Sequence, residues 1–226
     1  MPPAPWDVRR LPRAEGRNVL VTGGNAGIGY FVAEQLAGTG ATVVLACRDP
    51  AKAEAARASI RARVPGANVR HLRLDLAHLP SVEASAGALG LDRLDAVVCN
   101  AGVLLDRRLS AAGSTTLSVV VHPGGALDSL TPSRPPVHLR TTGERLRGLP
   151  AGLLLQGKEA AAWPAVRAVL DPSVRGGQLW GPRVFGIRGL PVLERVQGHL
   201  ADTVLAARLW TATAGLTGLD PSSNLG

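Results

Sequence analysis

A glycine-rich turn between a short apolar run and an amphipathic segment constrains the fold of this 226-residue chain most strongly. Residues 17–23 form the apolar run, which predicts a buried strand. The turn extends from Gly23 to Gly29, and residues 30–40 then show helical spacing of their apolar side chains. Glycines allow a sharp turn, and the free N–H groups at a helix start suit an anion such as a pyrophosphate.

The same alternation of apolar runs and helical segments continues to residue 102. Strands that alternate with helices form a parallel sheet with right-handed crossovers. The sequence therefore predicts an α/β fold, a Rossmann-type doubly wound parallel sheet. The predicted strands are 17–23, 41–47, 68–74 and 94–100, and the predicted helices are 30–40, 50–64 and 79–89.

The chain beyond residue 102 has a less regular pattern. We treat residues 1–226 as a single dinucleotide-binding domain in which residues 1–16 are a lead-in. The elements predicted in this part are a strand at 115–121, a loop with a short helix at 131–150, a helix at 157–170 that Pro164 interrupts, a turn-rich stretch with a short strand at 176–182, and a long helix at 193–216.

Charge and composition exclude several classes of function. The formal net charge is +8, but the arginines are scattered singly or in pairs without interleaved aromatics, so nucleic acid is not an expected partner. No apolar run reaches the ~18 residues of a membrane helix, and the N-terminus lacks a signal-peptide core. A cytoplasmic protein without a membrane span is the expectation. Cys47 and Cys99 are too few for a disulfide scaffold and are expected to be free thiols.

The residue after the second predicted strand indicates which nucleotide binds. An acidic residue there binds the 2′-hydroxyl of NAD, whereas an arginine accommodates the 2′-phosphate of NADP. Arg48 occupies this position, and Asp49 is expected to point away or to cap the next helix. The prediction is NADP rather than NAD. The alternatives are an ordinary glycine-rich connection and a solvated charge at Arg48.

Four ordered motifs resemble those of the short-chain dehydrogenase/reductase family. The segment Thr22–Gly29 resembles its cofactor motif, and Asp75-Leu76 resembles its adenine-contacting pair. Asn100-Ala101-Gly102 resembles the motif that ends the fourth strand, and His122-Pro123-Gly124 resembles a turn at the nicotinamide end of the cofactor. The cofactor-binding residues implied are Thr22, Gly23, Asn25, Gly27, Ile28, Gly29, Arg48, Asp75, Leu76, Asn100, Ala101, Gly102, Pro123 and Gly124.

Further segments resemble the retinol-dehydrogenase-like and protochlorophyllide-reductase-like branch of this family. They are residues 6–17, 46–49, 171–177 and 209–219. The resemblance implies an NADP(H)-dependent oxidoreductase with a carbonyl or alcohol substrate that the sequence does not identify.

The resemblance also exposes a gap. Family members carry a catalytic serine and a Tyr-x-x-x-Lys helix before the Pro-Gly turn, but His122 follows Gly102 by only 20 positions. The only tyrosine is Tyr30, beside the glycine turn, and Lys158 matches no catalytic position. The sheet is therefore expected to be truncated in its second half, with residues 103–114 as a shortened crossover at an inferred deletion.

No residue of the sequence is a clear replacement for the absent catalytic Tyr-Lys pair. His122 is the side chain near the inferred site whose type titrates near neutral pH, although a role as a turn residue before Pro123 is the interpretation we favour. Asp128 stands where many relatives have a cofactor-contacting threonine. His71 and His78 with Asp75 lack the second pair of ligands that a metal site needs, so no metal is expected.

Three functions remain open from the sequence. The chain is an oxidoreductase of this family, a non-catalytic nucleotide-binding or interaction protein derived from it, or a redox-silent enzyme such as a cyclase or isomerase. In every case a nicotinamide dinucleotide is the expected ligand, with a small-molecule substrate if the protein is active.

The inferred deletion makes a structural prediction. In relatives another strand, which is missing here, lies between strand 94–100 and strand 115–121. These two strands should therefore pair directly, because a gap between them would leave backbone N–H and C=O groups without partners. The resemblance implies that a helix, a strand and most of a second helix are missing, and in relatives these two helices form the usual dimer interface. An apolar patch is therefore expected on that face, and the family's four-helix dimer is not.

Overall fold

The first half of the chain forms a four-stranded parallel sheet with the order β3-β2-β1-β4. The structure is a computed structural model that describes residues 6–101, 117–139, 141–144, 150–196, 198 and 202–217. The strands are β1 Asn18–Thr22, β2 Thr42–Cys47, β3 Val69–Arg73 and β4 Ala96–Val98, and the helices between them are α1 Gly27–Gly38, α2 Pro50–Arg63 and α3 Leu79–Ala88. The predicted α/β fold with a parallel sheet is confirmed.

Apolar side chains cover both faces of this sheet. On one face, Val19 and Val43 pack with Phe31 and Leu36 of α1, and all four are fully buried. On the other face, Leu20 joins a smaller cluster against which α3 packs. Burying each such side chain stabilises the fold by about 1.5–3 kcal/mol, which explains why these strands read as continuous apolar runs.

In its described residues, the second half adds two small sheets, three α-helices whose bounds are given below and a helical segment at 142–144. β5 pairs in parallel with β8, which pairs antiparallel with β9, and β6 pairs in parallel with β7. The strands are β5 Val120–Val121, β6 Ala126–Leu127, β7 Gln156–Gly157, β8 Leu179–Val184 and β9 Arg188–Glu194, and the helices are α4 Lys158–Ala161, α5 Trp163–Leu170 and α6 Thr203–Thr217. Val166 and Leu170 of α5 join the core around α1, so the two halves share it.

The predicted pairing of strand 115–121 with strand 94–100 is wrong. β5 donates from Val120 N to Gln178 O and from His122 N to Trp180 O, both at 3.0 Å, and so adds to β8 instead. β8 and β9 form a hairpin through a short turn, so a local contact orders β8 and leaves its other side free for β5. Among the described residues, β1 is the only strand paired with β4. The shortened crossover at 103–114 lies outside the described residues.

The predicted helix at 193–216 is correct only in its later part. Residues up to Glu194 belong to β9, and α6 begins at Thr203. The apolar spacing at 193–196 is compatible with either element, and pairing with β8 decides it.

The predicted helix at 157–170 divides at Ala162 into α4 and α5. Pro164 has no N–H to donate within a continuous helix and sits in the first turn of α5, where none is needed. The predicted short strand at 176–182 is confirmed and extends to Val184 as β8. Among the described residues, no helix is long and apolar enough to cross a bilayer.

Candidate functional site

The carboxyl ends of β1 to β4 meet at one edge of the parallel sheet. This edge carries the glycine turn after β1, Arg48 after β2, Asp75 after β3 and Asn100 after β4. Chain order reverses beside β1, since β2 lies on one side of it and β4 on the other. Open α/β sheets bind ligands at such a switch point, outside the carboxyl ends of their strands.

The glycine turn adopts a conformation that side chains would block. Gly23 and Gly27 have φ values of +65° and +60°, in the left-handed region that favours glycine. At Gly29 a Cβ would lie 2.8 Å from the carbonyl oxygen of Gly23 and would overlap the side-chain amide of Asn100. These glycines therefore keep the backbone bare at the start of α1.

The start of α1 is left open to an anion. Ala26 occupies the N-cap position and supplies no side-chain cap, and the first turn contains no acidic residue. The first N–H groups of a helix need partners, and the helix dipole there favours negative charge. Asn25 is half-buried in this turn, whereas Ile28 packs against the core. The glycine turn and the start of α1 therefore fit a dinucleotide pyrophosphate.

Thr22 and Asn100 fix the end of β4 to this turn. Asn100 Nδ2 donates to Thr22 O at 3.0 Å, and Ala101 N donates to Thr22 Oγ1 at 2.9 Å. The Thr22 hydroxyl donates in turn to Val98 O at 3.3 Å. Of the residues predicted to bind the cofactor, the structure thus brings together Thr22, Gly23, Gly29, Asn100 and Ala101, while Gly102 lies outside the described residues.

Arg48 extends into solvent at the end of β2. Its neighbour Asp49 turns away and caps α2, accepting from Ala51 N at 2.9 Å and from Lys52 N at 3.1 Å. The predicted capping role of Asp49 is confirmed. Arg48 is exposed, and no acidic side chain among the described residues pairs with it. The Arg48 guanidinium is therefore accessible at this edge of the sheet.

Asp75 borders a surface hollow between β3 and α3. Its Oδ1 accepts from Ala77 N at 3.0 Å, and its N–H donates to Ser81 Oγ at 3.0 Å. Leu76 is 52% exposed beside it. The hollow also includes Arg73, but the glycine turn does not line it. Asp75 and Leu76 therefore lie at the same sheet edge as the turn without sharing its hydrogen bonds.

His122 lies on the β5-β8-β9 sheet and contacts a residue that sequence reasoning missed. Its Nε2 is 3.1 Å from Glu194 Oε1, and about a quarter of each side chain is exposed. A Cβ on Gly181 of the intervening β8 would overlap both side chains, so a glycine there makes the contact possible. Among the described residues, no hydrogen bond joins this pair to the glycine turn.

A side chain of β7 binds the segment that follows His122. Gln156 Nε2 donates to Pro123 O at 2.9 Å, and Gly124 has a φ value of +67°. The backbone at position 124 is thus in the left-handed region that favours glycine.

Comparison with known proteins relates the first half of the chain to a protein family. The short chain dehydrogenase family profile matches residues 17–121. A short-chain dehydrogenase/reductase of Aspergillus calidoustus is 44% identical over 96 residues, which are 42% of this chain and 31% of that protein. These matches relate residues 17–121 to the short-chain dehydrogenase/reductase family. Human retinol dehydrogenase 13 is 42% identical to this chain over 91 residues, 39% of this chain and 28% of the human protein.

These similarities support the retinol-dehydrogenase branch of the short-chain dehydrogenase/reductase family, which binds nicotinamide dinucleotides. The chain spans about a third of the length of the curated relatives it matches. A crystal structure of an uncharacterized protein from Mycobacterium paratuberculosis is similar in fold over 95% of this chain and 98% of that chain, with a TM-score of 0.63 and 23% identity.

Tyr30 is enclosed by the core. Its hydroxyl bonds with Glu34 Oε2 at 2.9 Å and with Ser59 Oγ at 2.8 Å, and the side chain is fully buried. Burial raises the pKa of Tyr30 well above its usual range. A phenol held in this way does not reach a ligand at the sheet edge, which agrees with the sequence interpretation.

Asp128 and Lys158 contact each other. Asp128 follows β6 and Lys158 follows β7, and the parallel pairing of these strands brings the carboxylate and the ammonium into an ion pair. Neither side chain was assigned this partner from the sequence, because the pairing of two-residue strands leaves no periodic signal.

No metal site emerges from the described ranges, in which His, Cys, Asp and Glu form no group of three or more suited to an ion. His71 Nε2 lies 3.2 Å from the carbonyl oxygen of Cys47, and His78 caps α3 without a side-chain hydrogen bond.

Proposed function

We propose that this chain binds NADP(H) at the carboxyl edge of the β1–β4 sheet. The observation that carries the proposal is the bare glycine turn at the uncapped start of α1. Backbone N–H groups of this turn would hold the pyrophosphate, because they converge where the helix dipole favours an anion. Asp75 and Leu76 would border the adenine, and Pro123 and Gly124 would border the nicotinamide end.

Arg48 would select NADP over NAD. Its guanidinium is exposed after β2, and the carboxylate that could bind a 2′-hydroxyl, Asp49, is engaged in capping α2. An arginine pairs with a 2′-phosphate through charge-assisted hydrogen bonds, whereas NADH offers no such anion.

Replacement of Arg48 by glutamine tests this selectivity. Charge-assisted hydrogen bonds contribute about 1.5–3 kcal/mol, so Arg48→Gln should raise the Kd for NADPH by about 10- to 100-fold and leave that for NADH nearly unchanged. Fluorescence titration of both nucleotides measures this, with Arg63→Gln on α2 as a control of equal charge. Equal weakening of both nucleotides would contradict the assignment.

Catalysis at this site would need a proton donor as well as the nucleotide. Bound NADPH supplies a hydride, but a carbonyl substrate also needs a proton for the developing alkoxide. Tyr30 is buried, and Lys158 is paired with Asp128. We infer that the chain derives from an oxidoreductase that acts on an unknown carbonyl or alcohol substrate. With the sequence it has, the chain should turn over such a substrate slowly. A non-catalytic nucleotide-binding or interaction role is the second candidate.

A panel of ketones and aldehydes with NADPH separates these candidates. Loss of general acid catalysis is worth about 10²- to 10⁴-fold, so nucleotide binding with turnover reduced by that factor is the expected result. Turnover at ordinary rates that His122→Gln abolishes would contradict it and would assign His122 as the general acid.

A further inference from the structure

The turn of the β8–β9 hairpin holds an exposed aromatic residue in a strained conformation. Phe185 is 92% exposed and has a φ value of +52°, and Gly186 follows it with a φ value of +67°. A bulky side chain seldom occupies the left-handed region, because its Cβ crowds the backbone, whereas glycine enters it freely. Neither packing nor backbone preference explains a phenylalanine here, and such strain often marks a functional position.

Exposed apolar residues of the hairpin, with one from the segment that Arg188 binds, make up what we term the apolar tip. Its members are Val184, Phe185, Ile187, Leu190 and Leu153, which are 43%, 92%, 38%, 44% and 78% exposed. Arg188 ties the hairpin to the segment that carries Leu153, because its Nη1 donates to Leu153 O at 2.7 Å. The Ile187 carbonyl accepts from Gly125 N at 2.9 Å, so the hairpin turn is fixed to the body of the protein.

Arginines flank the apolar tip in sequence, and the Glu194 carboxylate, which lies near Gly186 of the turn, contacts His122 Nε2. No acidic residue occurs between Asp171 and Glu194, while Arg175, Arg183 and Arg188 lie in that interval. Arg183 is exposed immediately before Val184. Apolar side chains flanked by arginines suit the boundary of an anionic bilayer, where the apolar groups enter the acyl region and the guanidinium groups meet lipid phosphates.

We propose that the apolar tip docks this protein on the surface of an anionic lipid bilayer. Phe185 enters the acyl boundary, and Arg183 and Arg188 bind headgroup phosphates. One small tip gives reversible peripheral binding, because a single short apolar element supplies only part of the affinity that stable anchoring requires. The proposal is independent of the nucleotide site.

Vesicle co-sedimentation tests the proposal with phosphatidylcholine vesicles that contain or lack phosphatidylserine. The wild-type chain should bind the anionic vesicles, and added salt should weaken binding. Phe185→Ser and Phe185→Gly should each reduce partitioning by at least about tenfold, since they remove a buried aromatic side chain. Arg183→Gln should reduce it by about fivefold.

The glycine variant distinguishes docking from a folding defect. Phe185→Gly removes the left-handed strain and no buried contact, so its Tm should equal or exceed that of the wild type while vesicle binding is lost. Leu205→Ser, at a 49% exposed position on α6, is the apolar control, and Arg63→Gln is the charge control. Both controls should bind like the wild type.

Several outcomes would overturn the proposal. These are no binding of the wild type to anionic vesicles, equal binding to neutral vesicles, or unchanged binding by both Phe185 variants. If Leu205→Ser reduced vesicle binding as much as Phe185→Ser does, binding would depend on exposed apolar side chains in general and not on the apolar tip. A dimer in sedimentation that Phe185→Ser dissociates, without vesicle binding, would make a second copy of the chain the occupant.

Discussion

At the scale of single residues, two glycines allow two polar contacts, because neither glycine has a Cβ that would block them. Without a Cβ on Gly29, the Asn100 amide can approach the glycine turn and bond to Thr22. Without one on Gly181, His122 reaches Glu194 across β8. Only the first of these glycines belongs to a recognisable motif, so the second contact could not be predicted from sequence.

The two cysteines should differ sharply in reactivity. Cys47 and Cys99 are both free, as predicted, but Cys47 is buried and Cys99 is exposed. Burial, with a smaller contribution from Asp49, raises the pKa of Cys47 to about 11. The reactive thiolate of Cys47 is therefore scarce at pH 8 and increases as the pH rises towards that value. At pH 8 a disulfide reagent should label one thiol of the native chain rapidly and the second only on unfolding.

The Cys99→Ser variant isolates the slow thiol. Its native form should react slowly at pH 8 and faster with increasing pH, while its unfolded form should react at the ordinary rate of a free cysteine. Equal rates for the native and unfolded forms of this variant at pH 8 would contradict the described environment of Cys47.

At the scale of elements, α1 connects the nucleotide site to the second half of the chain. Its N-terminus faces the sheet edge, and Glu34 in its middle receives hydrogen bonds from Arg134 Nε at 2.7 Å and Arg134 Nη2 at 2.9 Å. Both side chains are buried. This ion pair holds the segment around Arg134 against α1.

Replacing one partner of this ion pair should destabilise the protein more than replacing both partners. Arg134→Met leaves the Glu34 carboxylate buried without its cation and should lower the free energy of unfolding by about 3–5 kcal/mol. The double variant Arg134→Met, Glu34→Leu should recover most of that loss, because neither charge is then buried. Urea unfolding of the two variants measures the difference. A double variant as unstable as the single one would contradict this account.

At the scale of the whole molecule, the two halves differ in how far sequence predicts them. Residues 17–101 have long apolar runs, regular helices and a glycine motif, so the alternation of strands and helices and the edge that carries the glycine turn follow from local patterns. In the second half, β5 to β7 contain two residues each, and the contact of Arg134 with Glu34 spans 100 positions. Such pairings depend on tertiary packing and leave little periodic signal.

Amide hydrogen exchange with and without NADPH tests most directly whether the carboxyl edge of the β1–β4 sheet binds the nucleotide. The account predicts NADPH-dependent protection in residues 22–30, 46–49 and 98–101, where the turn, Arg48 and the end of β4 meet, and unchanged exchange in the β8–β9 hairpin. NADPH that leaves exchange of residues 22–30 unchanged at saturation, or protects only the hairpin, would contradict it.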